Sequence, residues 1–149
     1  MAIRQVDISG KRPVRREAVA VGRIRLRPTT IKLIRDGAVE KGDALQLARV
    51  AGVLGAKMTP QILPLCHSLR IESVEIDENL GEDYVEVRSR VVATEKTGVE
   101  MEALTSVCTA LLNIWDVVKQ YEKDENGQYP EAEIYGVRVL YKVKEDAAP

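Results

Sequence analysis

Residues 96–122 read KTGVEMEALTSVCTALLNIWDVVKQYE, and this stretch decides the fold. Its apolar residues recur in steps of three and four, which predicts a helix over residues 99–122 and not a strand. The predicted buried residues are Leu104, Val107, Leu111, Ile114, Trp115 and Val118. A second stripe has the same spacing but is polar, with Glu102, Thr105, Thr109, Asn113, Asp116 and Lys119 or Gln120. We therefore expect a helix that buries one face and lines a polar cleft with the other.

The other predicted elements alternate in type on both sides of this helix. Before it come a strand at residues 17–26, a short helix at 31–36, a helix at 44–57 and strands at 69–76 and 84–94; a last strand follows at 134–144. Thr29 and Thr30 supply the predicted N-cap of the short helix, and Asp43 that of the next helix. In the latter, Ala51, Gly52, Gly55 and Ala56 would permit close approach by another backbone.

The order of these elements is a split βαβ order. It predicts an α+β, ferredoxin-like fold, in which an antiparallel sheet carries helices on one face. We expect the uncovered face of the sheet to expose apolar positions, which would favour packing against another subunit.

Length and composition limit the class of protein. The 149 residues fit one domain, with a loosely held N-terminal arm at residues 1–14 and a tail at 145–149. Because 22 basic and 23 acidic residues nearly cancel, no overall field attracts nucleic acid or a membrane. Two separate cysteines, a single histidine and no apolar run of about 18 residues indicate a cytoplasmic protein with free thiols and no zinc site of its own. The sequence leaves open whether the protein binds a hard cation such as Mg²⁺ through carboxylates and phosphates.

Several charged side chains could serve an anionic substrate, although each also has a structural explanation. Glu100 and Glu102 suit a helix N-terminus through the helix dipole, and Asp116 with Lys119 could form only a surface ion pair. His67 follows Cys66 in an apolar loop, where a lone histidine is more often structural than functional. Together, the candidate cations are Arg15, Arg16, Lys41, Lys57, His67, Lys119 and Lys142, and the candidate proton-transfer carboxylates are Glu100, Glu102 and Asp116. Whether these side chains converge is left open by the sequence.

Motifs across residues 7–142 resemble the molybdenum cofactor biosynthesis protein C (MoaC) family. They are PVRREAVA and GRI within 13–24, KGDAL and ARVAG within 41–52, AK at 56–57, LPLCH at 63–67 and KTGVEMEALT at 96–105. The resemblance implies a ferredoxin-like subunit in a homohexamer, a trimer of dimers with active sites at subunit interfaces. It also implies a lyase that acts after a radical S-adenosylmethionine enzyme and converts 3′,8-cyclo-7,8-dihydro-GTP into cyclic pyranopterin monophosphate and diphosphate.

The same resemblance implies roles for individual residues. Lys41, Asp116 and Lys119 match the catalytic positions. Positions that match substrate-binding residues are Arg15, Arg16, Lys57, Leu65, Cys66, His67, Glu100, Met101, Glu102 and Lys142. Cations among them suit a triphosphate, and the glutamates suit the N–H donors of a guanine-derived ring. The chain departs from the family in Ser68, where Pro is usual, in an apparent insertion at 124–130, and in lacking a glycine-rich lysine tail after Lys142.

The rival hypothesis is a non-catalytic ferredoxin-like module that binds a nucleotide or a pterin. Joint retention of Lys41, Asp116 and Lys119 favours the enzyme. On a continuous helix, however, Glu102 and Asp116 would be about 21 Å apart. The two ends of the long helix must therefore serve one pocket with the help of another subunit, or else serve different pockets.

Overall fold

The computed structural model describes residues 1–145, which form a single four-stranded sheet and four helices. The elements are β1 (Val14–Arg25), α1 (Pro28–Arg35), α2 (Ala44–Lys57), α3 (Thr59–Ile62), β2 (Ile71–Leu80), β3 (Tyr84–Glu95), α4 (Glu100–Glu122) and β4 (Glu133–Glu145). The strands lie in the order β2-β3-β1-β4, and all neighbours are antiparallel. The predicted α+β, ferredoxin-like arrangement is confirmed. Of the predicted tail at 145–149, Glu145 ends β4 and residues 146–149 lie outside the described part of the chain.

The core lies between the sheet and α4. Alternate residues of β1 and β3, such as Ala20 and Val87, are fully buried against the apolar face of the helix. At Gly22 an added Cβ would lie 2.9 Å from side-chain atoms of both Val107 in α4 and Val137 in β4, so the glycine lets the helix approach the sheet. The predicted core residues Val107, Leu111, Ile114 and Val118 are fully buried, whereas Leu104 and Trp115 are only partly buried.

Helix α2 covers the middle of the polar stripe of α4. The prediction that this stripe lines one polar cleft is therefore wrong. A Cβ added at Gly55 would clash with Thr109 Oγ1 and would lie 3.1 Å from the carbonyl oxygen of Thr105. The Thr109 hydroxyl donates to that same carbonyl at 2.7 Å and therefore needs no partner in a cleft. The close approach predicted for Gly52 and Gly55 is confirmed, and only the two ends of the stripe emerge from beneath α2.

The uncovered face of the sheet exposes apolar residues on the edge strand β4, where Tyr141 and Val143 are 41% and 37% exposed, whereas charged side chains cover the apolar residues of the central strands. Glu17 forms an ion pair with Arg90, and Arg23 Nε lies 2.8 Å from the carboxylate of Glu86. Beneath such pairs, Val19 and Val21 are buried without a second layer of structure. The exposed apolar positions that were expected on this face are therefore present on β4, and long arginine stems replace them on the central strands.

The helix caps confirm one prediction and correct another. Asp43 Oδ1 accepts two backbone N–H groups from the first turn of α2, each at 3.1 Å, as predicted. Thr29 and Thr30 instead lie inside α1, whose N-cap is Arg27. The buried Glu122 at the end of α4 accepts the Thr30 hydroxyl and, at 3.1 Å, the Arg27 backbone N–H. A carboxylate from another helix thus replaces the local threonine cap.

Within residues 1–145, α4 is the one helix long and apolar enough by composition to cross a membrane. Half of its most apolar window is buried inside the protein. The apolar residues of α4 are therefore explained by its position between the sheet and α2.

Candidate active site

The three residues predicted to be catalytic meet at the C-terminal end of α4. Lys119 Nζ lies 3.1 Å from Asp116 Oδ1, and Lys41 Nζ donates to the backbone carbonyl of Asp116 at 3.2 Å. Lys41 reaches this point because the turn before α2 is held against α4. There, the Glu40 backbone N–H donates to the Tyr121 hydroxyl at 2.9 Å. We call this group the lysine cluster (Lys41, Asp116 and Lys119).

The electrostatics of the lysine cluster keep Asp116 ionised. The hydrogen bond from Lys119, followed by the positive charges of Lys41 and Lys119, lowers the pKa of the Asp116 carboxyl. One carboxylate therefore faces two ammonium groups, all of them accessible to solvent and so to a ligand. An excess of positive charge next to a proton-transfer lysine suits a polyanionic substrate.

An apolar cavity of about 380 Å³ adjoins the lysine cluster. Trp115 contacts Tyr129 edge to face, with ring centroids 5.3 Å apart and an angle of 72° between the rings. Leu112 and Ile134 complete the apolar part of the wall, and Asp116 and Lys119 form its polar edge. The sequence analysis missed this cavity, since Tyr129 lies in the apparent insertion at 124–130 and matches no motif.

The other predicted group lies at the N-terminal end of α4, beside a cavity of about 720 Å³ that we call the Cys66 cavity. The loop at 63–67, the α4 entry at 97–101 and part of the N-terminal arm line it. Cys66 Sγ donates to Glu102 Oε2 at 3.8 Å, while Oε1 has no partner within residues 1–145. Leu65 and Met101 are exposed at the wall, and His67 Nε2–H donates to the Val6 carbonyl at 2.7 Å. The structure thus brings Leu65, Cys66, His67, Met101 and Glu102 together.

Burial makes Glu102 an unusual carboxylate. Its side chain is only 1% exposed, and desolvation raises its pKa, with a smaller contribution from the charge of Glu100; the Cys66 hydrogen bond acts in the opposite direction. Burial and the nearby Glu102 charge likewise raise the pKa of the Cys66 thiol. Both shifts disfavour the ionised form, which makes Cys66 a poor nucleophile.

A smaller cavity of about 250 Å³ adjoins the Cys66 cavity and shares Glu100 with it. Here Lys142 Nζ lies 3.1 Å from Glu100 Oε1, and Arg16 donates to the carbonyl groups of Glu95 and Lys96. The structure therefore also brings Arg16, Glu100 and Lys142 together.

Two predicted substrate-binding residues lie elsewhere. Arg15 is on the opposite face of the sheet from Arg16, 3.4 Å from Glu145, because successive strand residues face opposite sides. Lys57 is the exposed last residue of α2. Their proposed contacts with substrate remain predictions.

Replacing the buried carboxylate with an amide is expected to change the pH dependence of stability. A raised pKa means that folded Glu102 resists ionisation, so the wild-type protein loses stability as the pH rises above the ordinary glutamate range. We expect the free energy of unfolding of Glu102→Gln, relative to wild type, to increase from acidic pH towards neutrality. Urea unfolding at fixed protein concentration from pH 4 to 8 measures it. The exposed Glu125→Gln is the control; a pH-independent difference for Glu102→Gln would contradict the assignment.

The fold and these clusters define a ferredoxin-like α+β protein with lysines and a buried carboxylate at opposite ends of one helix. Residues 5–144 match the MoaC family, and the chain belongs to this family. It is 55% identical over 142 residues to a probable cyclic pyranopterin monophosphate synthase of Pyrococcus abyssi, covering 95% of this chain and 89% of the relative.

Other relatives of the same printed name are similarly close. The Aeropyrum pernix protein is 56% identical over 139 residues, which cover 93% of this chain and 95% of that protein. The Methanoregula boonei protein is 55% identical over 139 residues, or 93% and 90% of the two chains. The resemblance inferred from the motifs is thereby confirmed.

Proposed function

We propose that this chain is a cyclic pyranopterin monophosphate synthase, a cytoplasmic lyase of molybdenum cofactor biosynthesis that follows a radical S-adenosylmethionine enzyme. Its substrate would be 3′,8-cyclo-7,8-dihydro-GTP, and its products cyclic pyranopterin monophosphate and diphosphate. The lysine cluster is the observation that carries the proposal, because two ammonium groups converge on Asp116: Lys119 contacts its ionised carboxylate and Lys41 contacts its backbone carbonyl. The identity of more than half of the residues with synthases of this name supports it.

The chemistry of this conversion suits the lysine cluster. Rebuilding a purine-derived ring as a pterin requires several proton transfers, and the lysine cluster places two ammonium donors beside one ionised carboxylate that can accept a proton. Closing the cyclic phosphate forms a bond from a ribose oxygen to the α-phosphorus and breaks the bond to the departing diphosphate. Lys41 and Lys119 would offset the negative charge that develops on that leaving group.

The distance between the two groups supports an active site shared by two subunits. Because α4 is continuous over Glu100–Glu122, Glu102 and Asp116 are separated by about 21 Å along its axis. A single small substrate in one chain does not reach both ends. We therefore propose that the lysine cluster of one subunit faces the Cys66 cavity of another, in the homohexamer that the resemblance implies.

The surface of α2 offers an interface with the required geometry. Leu47, Val50, Leu54 and Met58 follow helical spacing and are exposed; Val50 and Leu54 reach 67% and 53%. We call these four residues the α2 ridge. Such a continuous apolar surface favours association. The ridge runs from the turn that carries Lys41 towards the loop that carries Cys66, so two copies packed antiparallel would place opposite ends side by side.

Introducing charge into the α2 ridge is expected to break this contact. Leu54→Glu would bury a carboxylate between subunits, so light scattering after gel filtration should show smaller assemblies and activity should fall with them. Gln46→Glu adds the same charge at an exposed α2 position outside the ridge and should leave the assembly unchanged. Retention of the full assembly by Leu54→Glu would exclude α2 as the interface.

Incubation of the purified protein with 3′,8-cyclo-7,8-dihydro-GTP tests the activity directly. We expect cyclic pyranopterin monophosphate and diphosphate in equal amounts, detected by fluorescence after oxidation to the pterin and by a phosphate-release assay with pyrophosphatase. Tight binding without either product would refute the proposed lyase and favour a non-catalytic nucleotide- or pterin-binding module.

A further inference from the structure

The N-terminal arm crosses the wall of the Cys66 cavity. Within residues 1–145, two hydrogen bonds join residues 1–13 to the rest of the chain. His67 donates to the Val6 carbonyl at 2.7 Å, and Gln5 Nε2 donates to the Leu65 carbonyl at 3.4 Å. Both lead to the loop at 63–67, which also lines the cavity. The arm is thus fastened to the wall of the proposed substrate site.

Few other contacts hold the arm in place. The side chains of Ile3 and Val6 are exposed, so the arm buries little apolar surface against the rest of the chain. The remaining hydrogen bonds of the arm are local, such as that from the Ser9 backbone N–H to Asp7 Oδ1 at 2.8 Å. A segment with so few buried contacts opens at a low free energy cost compared with the core.

The arm also changes the charge of the cavity wall. Arg4 and Lys11 both line the Cys66 cavity, and neither forms an ion pair within residues 1–145. The arm also brings the Asp7 carboxylate to this wall, so its two cations outweigh one anion. The rest of the chain contributes the Glu100 carboxylate and His67 to this wall, and His67 Nε2 already forms a hydrogen bond with the arm. With the arm removed, this wall would present an anion and a single imidazole to a ligand.

We propose that the arm is a closing strap that brings Arg4 and Lys11 onto the phosphate groups of the substrate in the Cys66 cavity. An arginine can bind a phosphate in bidentate fashion, and a lysine adds a mobile point charge. Because both cations arrive with the arm, a ligand that carries phosphates favours the closed state and a ligand without them does not. The strap deepens the proposed function by assigning two substrate-binding residues outside the family motifs quoted above.

Alanine variants compared with a matched neighbour test the strap. Arg4→Ala and Lys11→Ala each remove a cation from the cavity wall, while Arg12→Ala removes one from the same arm at a position that does not line the cavity. Calorimetry with GTP as a non-reacting probe should show Kd rising about tenfold for each cavity variant, as for loss of a charged hydrogen bond. For Arg12→Ala we expect a change of less than about twofold.

Turnover separates a binding role from a structural one. With 3′,8-cyclo-7,8-dihydro-GTP as substrate, the cavity variants should raise KM much more than they lower kcat. Amide hydrogen exchange of residues 4–11 should slow when GTP binds the wild type and should not slow in the double variant Arg4→Ala/Lys11→Ala. Cavity variants that match Arg12→Ala in Kd, KM and exchange would overturn the strap.

The two proposals fail in different ways. If wild type turns over the cyclised substrate and the cavity variants match Arg12→Ala, the strap is wrong and the synthase stands. If wild type forms no product, the synthase is wrong, and the GTP affinities and exchange rates still decide whether the arm binds phosphate.

Discussion

Lys119→Ala and Lys41→Ala are each expected to lower turnover by at least about 100-fold while leaving the fold intact. Lys41 is exposed and Lys119 partly exposed, and both side chains bind only Asp116 among residues 1–145, so the core loses little when they are removed. Each variant, however, removes one of the two cations that would serve proton transfer and the departing diphosphate. Steady-state kinetics with the cyclised substrate, together with circular dichroism, measure the effect.

The matched control for this experiment is Lys123→Ala. Lys123 is exposed and directly follows α4, so its removal changes the local charge equally without touching the lysine cluster. We expect near wild-type kcat/KM for this variant. Near wild-type activity in Lys119→Ala or Lys41→Ala would refute the catalytic role of that lysine.

Gly55→Val is expected to be the most destabilising of the changes considered. The first added carbon already falls 2.8 Å from Thr109 Cβ and 3.1 Å from the Thr105 carbonyl oxygen, and that backbone cannot rotate away. The valine side chain should push α2 away from α4 and lower the free energy of unfolding by about 3 kcal/mol. For a chain of this size, this corresponds to a fall in Tm of roughly 6–12 °C. Activity should fall as well, because the turn before α2 carries Lys41.

Thermal unfolding at one fixed protein concentration measures this loss, since the stability of an oligomer depends on concentration. Gly10→Val is the control, because an added Cβ there meets nothing within 4 Å. It should leave the free energy of unfolding within about 0.5 kcal/mol of wild type. A Gly55→Val protein as stable as this control would show that the two helices are not in close contact.

The fold was predictable because its local signals agree with its tertiary contacts. The spacing of Val107, Leu111, Ile114 and Val118 gives both the helical period and the buried face, and helix α2 has the bounds predicted for it. The predicted cap at Thr29 and Thr30 failed because the buried Glu122, 92 residues further along the chain, binds the Thr30 hydroxyl. Spacing along a sequence carries no information about such a distant partner.

The site was predictable in composition but only partly in geometry. The contact of Asp116 with Lys119 could be expected because the two residues are one turn apart on α4, but the approach of Lys41, 75 residues earlier in the chain, could not. The opposite orientations of Arg15 and Arg16 depend on which face of β1 the helices cover. Arg4 and Lys11 escaped the sequence analysis because a polar arm of irregular backbone has no period from which its path could be read.

Mixing two inactive variants tests most directly whether opposite ends of α4 from different subunits form one site. One variant is Lys119→Ala, and the other is His67→Ala/Glu100→Ala, which alters the Cys66 cavity and, through Glu100, the smaller cavity beside it, but not the lysine cluster. After co-refolding in equal amounts, about a quarter of the shared pockets would combine an intact lysine cluster with an intact cavity. We expect roughly a quarter of wild-type activity from the mixture and almost none from either variant alone. No recovery in mixed assemblies, verified by native mass spectrometry, would contradict a site shared between subunits.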